Sequence, residues 1–312
     1  MADPTPSHVE RRSLADAPVR TVSARDSLPT RLRNLWSRRE LLFSLISSDI
    51  RIKYKGSALG IFWSMLSPAL TLAIYYLVFS IFLKNGIPNF IVYLFAGLLV
   101  WNMFQTAVNS ATGVIVDRAG LVKKVSFPRE ILALANVGAA VIYFCIQLVV
   151  LAIFLLAVGH SPDWGMVWIL PISFVTLYLF TASVAVVMSA VTVYLRDMRH
   201  LMEVVLQLWF WMTPVIYSYE NSIAAPLRRH GISFIYFLNP VTLIVLTFQR
   251  IIYVSTTVSS TAVKGVTLQL LPSWPVSTYF YLNLAMMGFM VLLFLAAVTV
   301  FGRLEGNFES EL

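Results

Sequence analysis

Residues 117–130 read DRAGLVKKVSFPRE and separate two long hydrophobic runs, 90–116 and 131–158. A helix needs about 20 apolar residues to cross the hydrocarbon core of a bilayer, and both runs are long enough. The segment between them carries six charged side chains and must face water. Its first part has an amphipathic pattern, and Pro128 then ends any helix. We therefore predict a short helix, 117–127, exposed to water between two membrane spans.

Composition places the whole chain in the membrane class. Of its 312 residues, 58% are hydrophobic and 12% are charged, and the mean hydropathy is +0.78. Soluble domains carry about 25% charged residues. We predict an all-α integral membrane protein with six transmembrane helices, an N-terminal interfacial helix and a re-entrant outer gate. The predicted spans are 62–83, 90–112, 131–158, 166–195, 204–219 and 279–301.

Basic residues indicate the orientation. Most of the 23 Lys and Arg residues precede Phe62 or lie in alternate loops, at 118–129, at Arg196 and Arg199, and at Arg303. Cytoplasmic loops carry such an excess, so we expect both termini in the cytoplasm and a multi-pass protein of the cytoplasmic membrane. The net charge of +8 is thereby explained by topology, and we predict no nucleic-acid partner.

The region after Glu203 is less regular than the first four spans. Pro214 interrupts a short uncharged run, and Asn239-Pro240 interrupts the next one. Short, broken segments at membrane depth often line a transport path. We favour a re-entrant gate over residues 225–253 on the outer side, with seven plain spans as the alternative. The predicted gate residues are Pro214, Asn239, Pro240 and Arg250.

The N-terminal part divides into two regions before the transmembrane domain, which we place at 56–312. Residues 1–26 are polar and are predicted to be disordered. Residues 27–55 alternate leucines with a basic face that includes Arg31 and Arg38. This pattern is typical of a helix that lies on the anionic inner leaflet and contacts membrane lipids.

Two patterns suggest a path for a polar substrate. Asn102, Gln105 and Asn109 recur at spacings of three and four, so they share one face of the second span, which faces either a partner helix or an aqueous path. Aromatic rings can stack on the apolar faces of sugars, although an interfacial belt is the common alternative. The predicted channel residues are Tyr75, Tyr76, Asn102, Gln105, Trp209 and Tyr217.

The sequence contains no phosphate-binding loop of the Gly-x-x-x-x-Gly-Lys-Ser/Thr type and no plausible catalytic acid pair or triad. Cys145 is the single cysteine, and the four histidines are scattered, so we predict no metal site and no cofactor on this chain. The spans lack the carboxylates that proton relays need. An ion-driven flippase of lipid-linked sugars is therefore disfavoured.

Four segments, in order along the chain, resemble one family. Residues 124–132, KVSFPREIL, are similar to a Lys-x-x-Phe-Pro-Arg-Glu motif of ABC type-2 permeases that export O-antigen, capsule and teichoic acid, although Ala133 stands where these proteins have proline. Residues 49–63 resemble the entry motif of the same family, with Ser48 in place of arginine. Further matches are Arg196-Asp197 with 212–217, and 238–242 with Arg250.

The resemblance implies a non-enzymatic membrane subunit that forms a homodimer and assembles with two copies of a cytoplasmic ABC ATPase, which bind ATP and Mg²⁺. Its substrate would be a lipid-linked polysaccharide such as O-antigen, teichoic acid or a galactan-like glycan. An ABC type-2 exporter of drugs or lipids is the alternative within the same fold. The residues expected to couple to the ATPase are Arg118, Lys123, Lys124, Phe127, Arg129, Glu130, Arg196 and Asp197.

Overall fold

The computed structural model describes residues 27–57, 60–224 and 233–312. The tail predicted to be disordered, 1–26, and residues 225–232 of the predicted gate lie outside this description. Within it, the chain is mostly helical, with one two-stranded hairpin formed by β1 (Thr257–Ser259) and β2 (Thr267–Gln269). The prediction of an all-α membrane protein is confirmed.

Five helices in the described ranges are long and apolar enough to cross a membrane. They are α3 (Trp63–Tyr76, continued by a π-helical turn Leu77–Phe82), α4 (Phe90–Thr112), α7 (Glu130–Val158), α8 (Leu170–Tyr194) and α11 (Val276–Leu304). A backbone in hydrocarbon must satisfy its own hydrogen bonds, and uninterrupted helices do so.

These helices alternate between two ends of the bundle. We call the basic end the one that holds residues 113–130, the turn 195–199 and the C-terminal residues 304–312. The opposite end holds residues 84–89, 159–169, 213–219 and 253–275. Side-chain contacts join the elements within each end, such as Arg199 to Asp117 at the basic end and Tyr253 to Pro88 at the opposite end.

A sixth passage begins with α9 (Met198–Met212), which is 15 residues long. At 1.5 Å per residue it covers about 22 Å. Its last residue is followed by Thr213 in extended conformation, as expected before Pro214. The helix starts and ends earlier than the predicted span 204–219. Irregular chain completes the passage, and Ser218 Oγ donates to the carbonyl of Gln269 at 2.8 Å.

Helix α10 (Pro240–Ile252) does not cross the bundle. It begins beside the end of α9, where Asn239 Nδ2 donates to Thr213 Oγ1 at 3.0 Å and Asn239 Oδ1 caps the helix by accepting from the Val241 amide. It ends at the opposite end, where the Tyr253 hydroxyl donates to the Pro88 carbonyl at 2.7 Å. Both ends of α10 therefore lie away from the basic end.

The N-terminal region is two helices, α1 (Leu28–Ser37) and α2 (Arg39–Tyr54), separated at Arg38. Helix α2 packs along α7, where Ile46 occupies the space that a β-carbon at Gly138 would take. The expectation of a single helix lying on the membrane surface thus needs revision: α1 keeps no fully buried residue, whereas α2 is partly held by a membrane span.

Helix α4 is the centre of the bundle, and it contacts α7, α8, α9 and α10. The Phe104 ring stacks on Phe180 of α8, with 5.2 Å between ring centroids. Gly97 lets the chain after α9 approach closely, because a β-carbon there would stand 3.0 Å from Gln249 Nε2 and 3.3 Å from the Val215 Cα. The core therefore depends on this glycine where α4, α10 and residues 213–217 meet.

Replacement of Gly97 by valine should overpack this junction and destabilise the protein by about 1–3 kcal/mol, since backbone at Val215 blocks the new side chain. The measurement is thermal unfolding in detergent followed by tryptophan fluorescence. Gly288→Val is the matched control, because nothing lies within 4 Å of a β-carbon at this exposed position of α11. Equal midpoints for the two variants would contradict the packing described here.

Candidate coupling surface and translocation path

The predicted coupling helix, 117–127, is divided in the structure. Helix α5 (Val114–Asp117) and α6 (Ala119–Lys124) are separated at Arg118, and Val125 is extended. Pro128 disfavours helical backbone at the preceding residue, which explains why helix does not resume until Arg129, whose αR backbone leads into α7. We call residues 114–129 the coupling segment.

Helix α6 presents a mixed face to the solvent. Val122 is buried and anchors the helix, whereas Leu121 and Val125 are exposed beside the exposed Lys123 and Lys124. Neither lysine has an ion pair within the described ranges. A small exposed apolar patch next to two free cations is suited to contact a partner with an apolar and acidic surface.

Arg118 has an internal role. Its guanidinium pairs with the carboxylate of Asp49 on α2, and both side chains are largely shielded from water. This ion pair ties the junction between α5 and α6 to the N-terminal region. Among the predicted coupling residues, Arg118 is therefore already occupied by a contact within the chain.

Arg129 and Glu130 are also engaged within the chain. Glu130 is 1% exposed and pairs with Arg31 of α1. Nη1 of Arg129 donates to the backbone oxygen of Glu305 at 3.2 Å, and Phe127 is half-buried beside them. The structure thus brings the predicted pair together with Arg31, which the sequence placed only on the basic face of the N-terminal region, and with Glu305, which the sequence did not single out.

The turn between α8 and α9 lies next to the coupling segment. Arg196 and Asp197 are exposed, as a docking role would require. Arg199, which the sequence did not predict as a coupling residue, joins the turn to α5: it donates to the Asp117 carboxylate at 2.8 Å and to the Gly113 carbonyl at 3.3 Å. A β-carbon at Gly113 would overlap the Arg199 guanidinium, so a side chain there would displace Arg199 from this contact.

A cavity of about 840 Å³ opens between α1 and the coupling segment. Its lining is strongly cationic, with Glu130 and Glu305 as the acidic members. The basic end therefore combines a recessed polar cavity with the protruding face of α6. The basic residues that line the cavity are Arg31, Arg38, Lys123, Lys124 and Arg129.

Helix α4 carries a polar stripe on its only open face in the stretch 101–110. Every residue that remains accessible there is polar and uncharged, and every other residue is buried. The spacing of three and one places these residues on one side of the helix. The sequence predicted three of them, and the structure extends the set, which we call the α4 stripe: Asn102, Gln105, Thr106, Asn109 and Ser110.

Aromatic rings border the α4 stripe. Trp101 Nε1 donates to Gln105 Oε1 at 3.0 Å, and the Trp101 ring lies 5.4 Å from Phe210 of α9. Tyr75 of α3 stacks on the same Phe210 ring at 5.7 Å. Of the predicted channel residues, Tyr75 therefore lies near the stripe, through Phe210.

The remaining predicted aromatic residues differ in their surroundings. Trp209 packs edge-on against Phe104 and is half-buried between helices. Tyr76 is half-buried on α3. Tyr217 belongs to the opposite end, where its hydroxyl shares a 2.8 Å hydrogen bond with that of Tyr236 and donates to the Trp211 carbonyl. Tyr217 thus supports the gate region.

One of the predicted gate residues, Pro214, is held by a buried amide. Nε2 of Gln249, which is fully buried, donates to the carbonyls of Pro214 and Val215 at 3.2 and 3.3 Å. Asn239 and Pro240 start the same helix, α10. Arg250 instead turns to Asp163, at 3.1 Å, and to the Val254 carbonyl. The sequence analysis did not predict a role for Gln249. The one feature that could have indicated it is that Gln249 is a lone amide in an apolar run.

Comparisons with known proteins agree with this architecture. The sequence pattern of the family described as "ABC-2 type transporter" matches residues 40–253. The chain is 32% identical over 222 residues to the "O-antigen export system permease protein RfbA" of Myxococcus xanthus, covering 71% of this chain and 84% of the relative.

Two proteins of the same name from Klebsiella pneumoniae are also similar to this chain. One is 30% identical over 179 residues, which cover 57% of this chain and 69% of the relative, and the other is 27% identical over 212 residues, which cover 68% and 80%. The family match extends over more than half of the sequence and includes the coupling segment, the α4 stripe and α10. The chain belongs to the ABC-2 type transporter family.

Proposed function

We propose that this chain is the permease subunit of an ATP-driven exporter that moves a lipid-linked polysaccharide across the cytoplasmic membrane. The name shared by its relatives, an O-antigen export system permease protein, supports this class of substrate. The α4 stripe is the observation that carries the proposal, because it offers a polar surface at membrane depth without any charged group.

The chemistry of the α4 stripe suits a glycan. Amide and hydroxyl groups both donate and accept hydrogen bonds, as the hydroxyls of a sugar do. Polar side chains in a membrane span face the interior of an assembly or a water-filled cavity. Tyr75 is half-buried and stacks on the buried Phe210 ring, which contacts Trp101 at the stripe, so the accessible part of the Tyr75 ring would offer an apolar surface for the C–H groups of sugar rings. A long polymer could therefore slide without being held at one charged point.

A homodimer would close this path. In a single chain the α4 stripe is accessible from one side, and lipid would be a poor neighbour for its amides. Helix α3 also exposes large apolar side chains along its length, including Leu70, Ile74 and Ile81. A second copy that faces the stripe would enclose the path between two protomers, in agreement with the stoichiometry that the family resemblance implies.

The ATPase would bind at the basic end, which we place in the cytoplasm together with both termini. Lys123 and Lys124, with Leu121 and Val125, form the exposed face of α6 that can contact an acidic and apolar groove. Arg118, Arg129 and Glu130 would act differently from the expectation, since their internal ion pairs join them to α2, to Glu305 and to α1, and would pass movement of α6 to these elements. ATP and Mg²⁺ would be bound by the ATPase subunits.

The decisive experiment is transport by the purified complex in proteoliposomes. ATP-dependent movement of a lipid-linked polysaccharide, with no movement of the lipid carrier alone, is the expected result. Equal transport of the carrier with and without its glycan would contradict the proposal and favour an exporter of lipids. Transport driven by an ion gradient without the ATPase would contradict the assignment to the class of ATP-driven exporters.

Reversal of both lysine charges, Lys123→Glu with Lys124→Glu, should reduce co-purification with the ATPase and lower export at least tenfold, because two negative charges on α6 would repel the acidic groove that the lysines attract. Pull-down from detergent and transport in proteoliposomes measure the two effects. Lys264→Glu, an exposed lysine at the opposite end, is the control and should change neither. Unchanged binding in the double variant would rule out this docking face.

Replacement of stripe residues by apolar ones, Asn102→Leu with Gln105→Leu, should lower glycan transport at least tenfold while the ATPase still co-purifies, since the path loses hydrogen-bonding groups at mid-membrane. The measurement is transport per mole of reconstituted complex. Thr299→Leu is the control, because this exposed threonine of α11 donates only to its own helix. Normal transport in the double variant would exclude the stripe from the path.

A further inference from the structure

The residues that follow α11 bridge several elements at the basic end. The Glu305 carboxylate accepts from the Arg31 guanidinium of α1 at 2.8 Å and lies 3.8 Å from Nε of Arg129. The backbone oxygen of Glu305 also accepts from Arg129. One residue therefore contacts the first helix and the coupling segment from the end of the last span.

An aromatic anchor holds this part of the chain in place. Phe308 is fully buried, and its ring lies 6.1 Å from Tyr194 of α8 and 5.6 Å from Phe301, edge-on to both. The Arg129 guanidinium lies 5.8 Å above the Phe308 ring. The Tyr194 hydroxyl also donates to the Leu304 carbonyl. These contacts fix the turn after α11 against the end of α8.

The charges around Glu305 form an alternating set. Arg31 pairs with both Glu130 and Glu305, and Arg129, the neighbour of Glu130 in the chain, faces Glu305. All four side chains are at most 20% exposed. Loss of Arg31 would leave the buried Glu130 carboxylate without this cation, which is strongly unfavourable, and loss of Glu305 would take one ion-pair contact from each of the two arginines. The set therefore favours one fixed arrangement of its elements.

Gly302 gives independent support for this arrangement. A β-carbon at Gly302 would stand 2.5 Å from Arg31 Cζ, so α11 has a glycine where the guanidinium crosses it. This absence of a side chain allows Arg31 to lie directly on the last span while it reaches Glu130 and Glu305. The close contact of α1 with α11 thus depends on a residue of each helix, Arg31 and Gly302.

We propose that Glu305 and Phe308 are positioning residues that form a C-terminal clasp, through which α1, the coupling segment and α11 move as one body. The inference rests on the proposed function, because the clasp would pass the displacement of α6 to α7 and α11 together. Neither residue lies in the range matched by the family, 40–253, and neither belongs to a motif found in the sequence.

The structural part of the proposal is tested on the permease alone in lipid nanodiscs. Amide hydrogen exchange of residues 28–37 and 119–129 should become at least tenfold faster in Glu305→Gln and in Phe308→Ala, whereas α8 keeps its protection and shows that the bundle is folded. Glu311→Gln, an exposed acid of the same segment, should behave as the unaltered protein. Unchanged exchange in Glu305→Gln would overturn the clasp whatever the chain transports.

The positioning role is tested in proteoliposomes with the ATPase. Glu305→Gln should retain the ATPase and hydrolyse ATP within twofold of the unaltered complex, yet move at least fivefold less glycan for each ATP. Glu305→Asp, which keeps the charge, should restore most of this ratio. An unchanged ratio in Glu305→Gln would overturn the role. An unaltered complex that hydrolyses ATP and moves no glycan would count against the proposed function and leave the exchange result standing.

Discussion

Hydrocarbon offers no hydrogen-bond partner to a polypeptide backbone, so each irregular stretch at membrane depth must find its partners inside the protein. Residues 213–217 are such a stretch. Asn239 bonds the side chain of Thr213, Gln249 bonds the carbonyls of Pro214 and Val215, and the hydroxyl of Tyr93 bonds the carbonyl of Tyr217. The short helix α10 supplies two of these groups, and its position follows from that need.

The same constraint explains the contrast between the faces of α4. Most of this helix is enclosed by α7, α8, α9 and α10, and its apolar side chains fill the core. In the stretch 101–110, the amide and hydroxyl side chains lie on the one face that the other helices leave open. The bundle is therefore organised around a helix that is both its structural centre and the carrier of its polar surface.

The sequence predicted the long spans well, because 20 or more apolar residues in a row have few alternatives. It misplaced the start of α9, since Arg199, His200 and Glu203 lower the hydropathy of the first two turns, which are nevertheless helical. It also joined α5 to α6 across Arg118. Local pattern could not show that this arginine pairs with a distant acid.

The α4 stripe could be predicted because it depends on residue spacing along one helix. The contacts of the coupling segment could not be predicted because they depend on residues that are far apart in sequence. Asn102, Gln105 and Asn109 share a helix face by arithmetic alone. The partners of Arg118 and Arg129 are Asp49 and Glu305, which are 69 and 176 residues away in sequence, respectively. No periodicity links such distant positions. The sequence could therefore show that the coupling segment is charged, but it could not show which of its charged side chains pair within the chain and which remain exposed.

The positions of two arginine side chains at the basic end depend on glycines of neighbouring helices. Arg199 lies where a β-carbon of Gly113 would stand, and Arg31 lies where one of Gly302 would stand. At each glycine, the missing side chain leaves the space that a guanidinium from another helix occupies. In a genetic screen, changes at Gly113 and Gly302 would therefore group with loss of the arginines, although the glycines themselves carry no functional group.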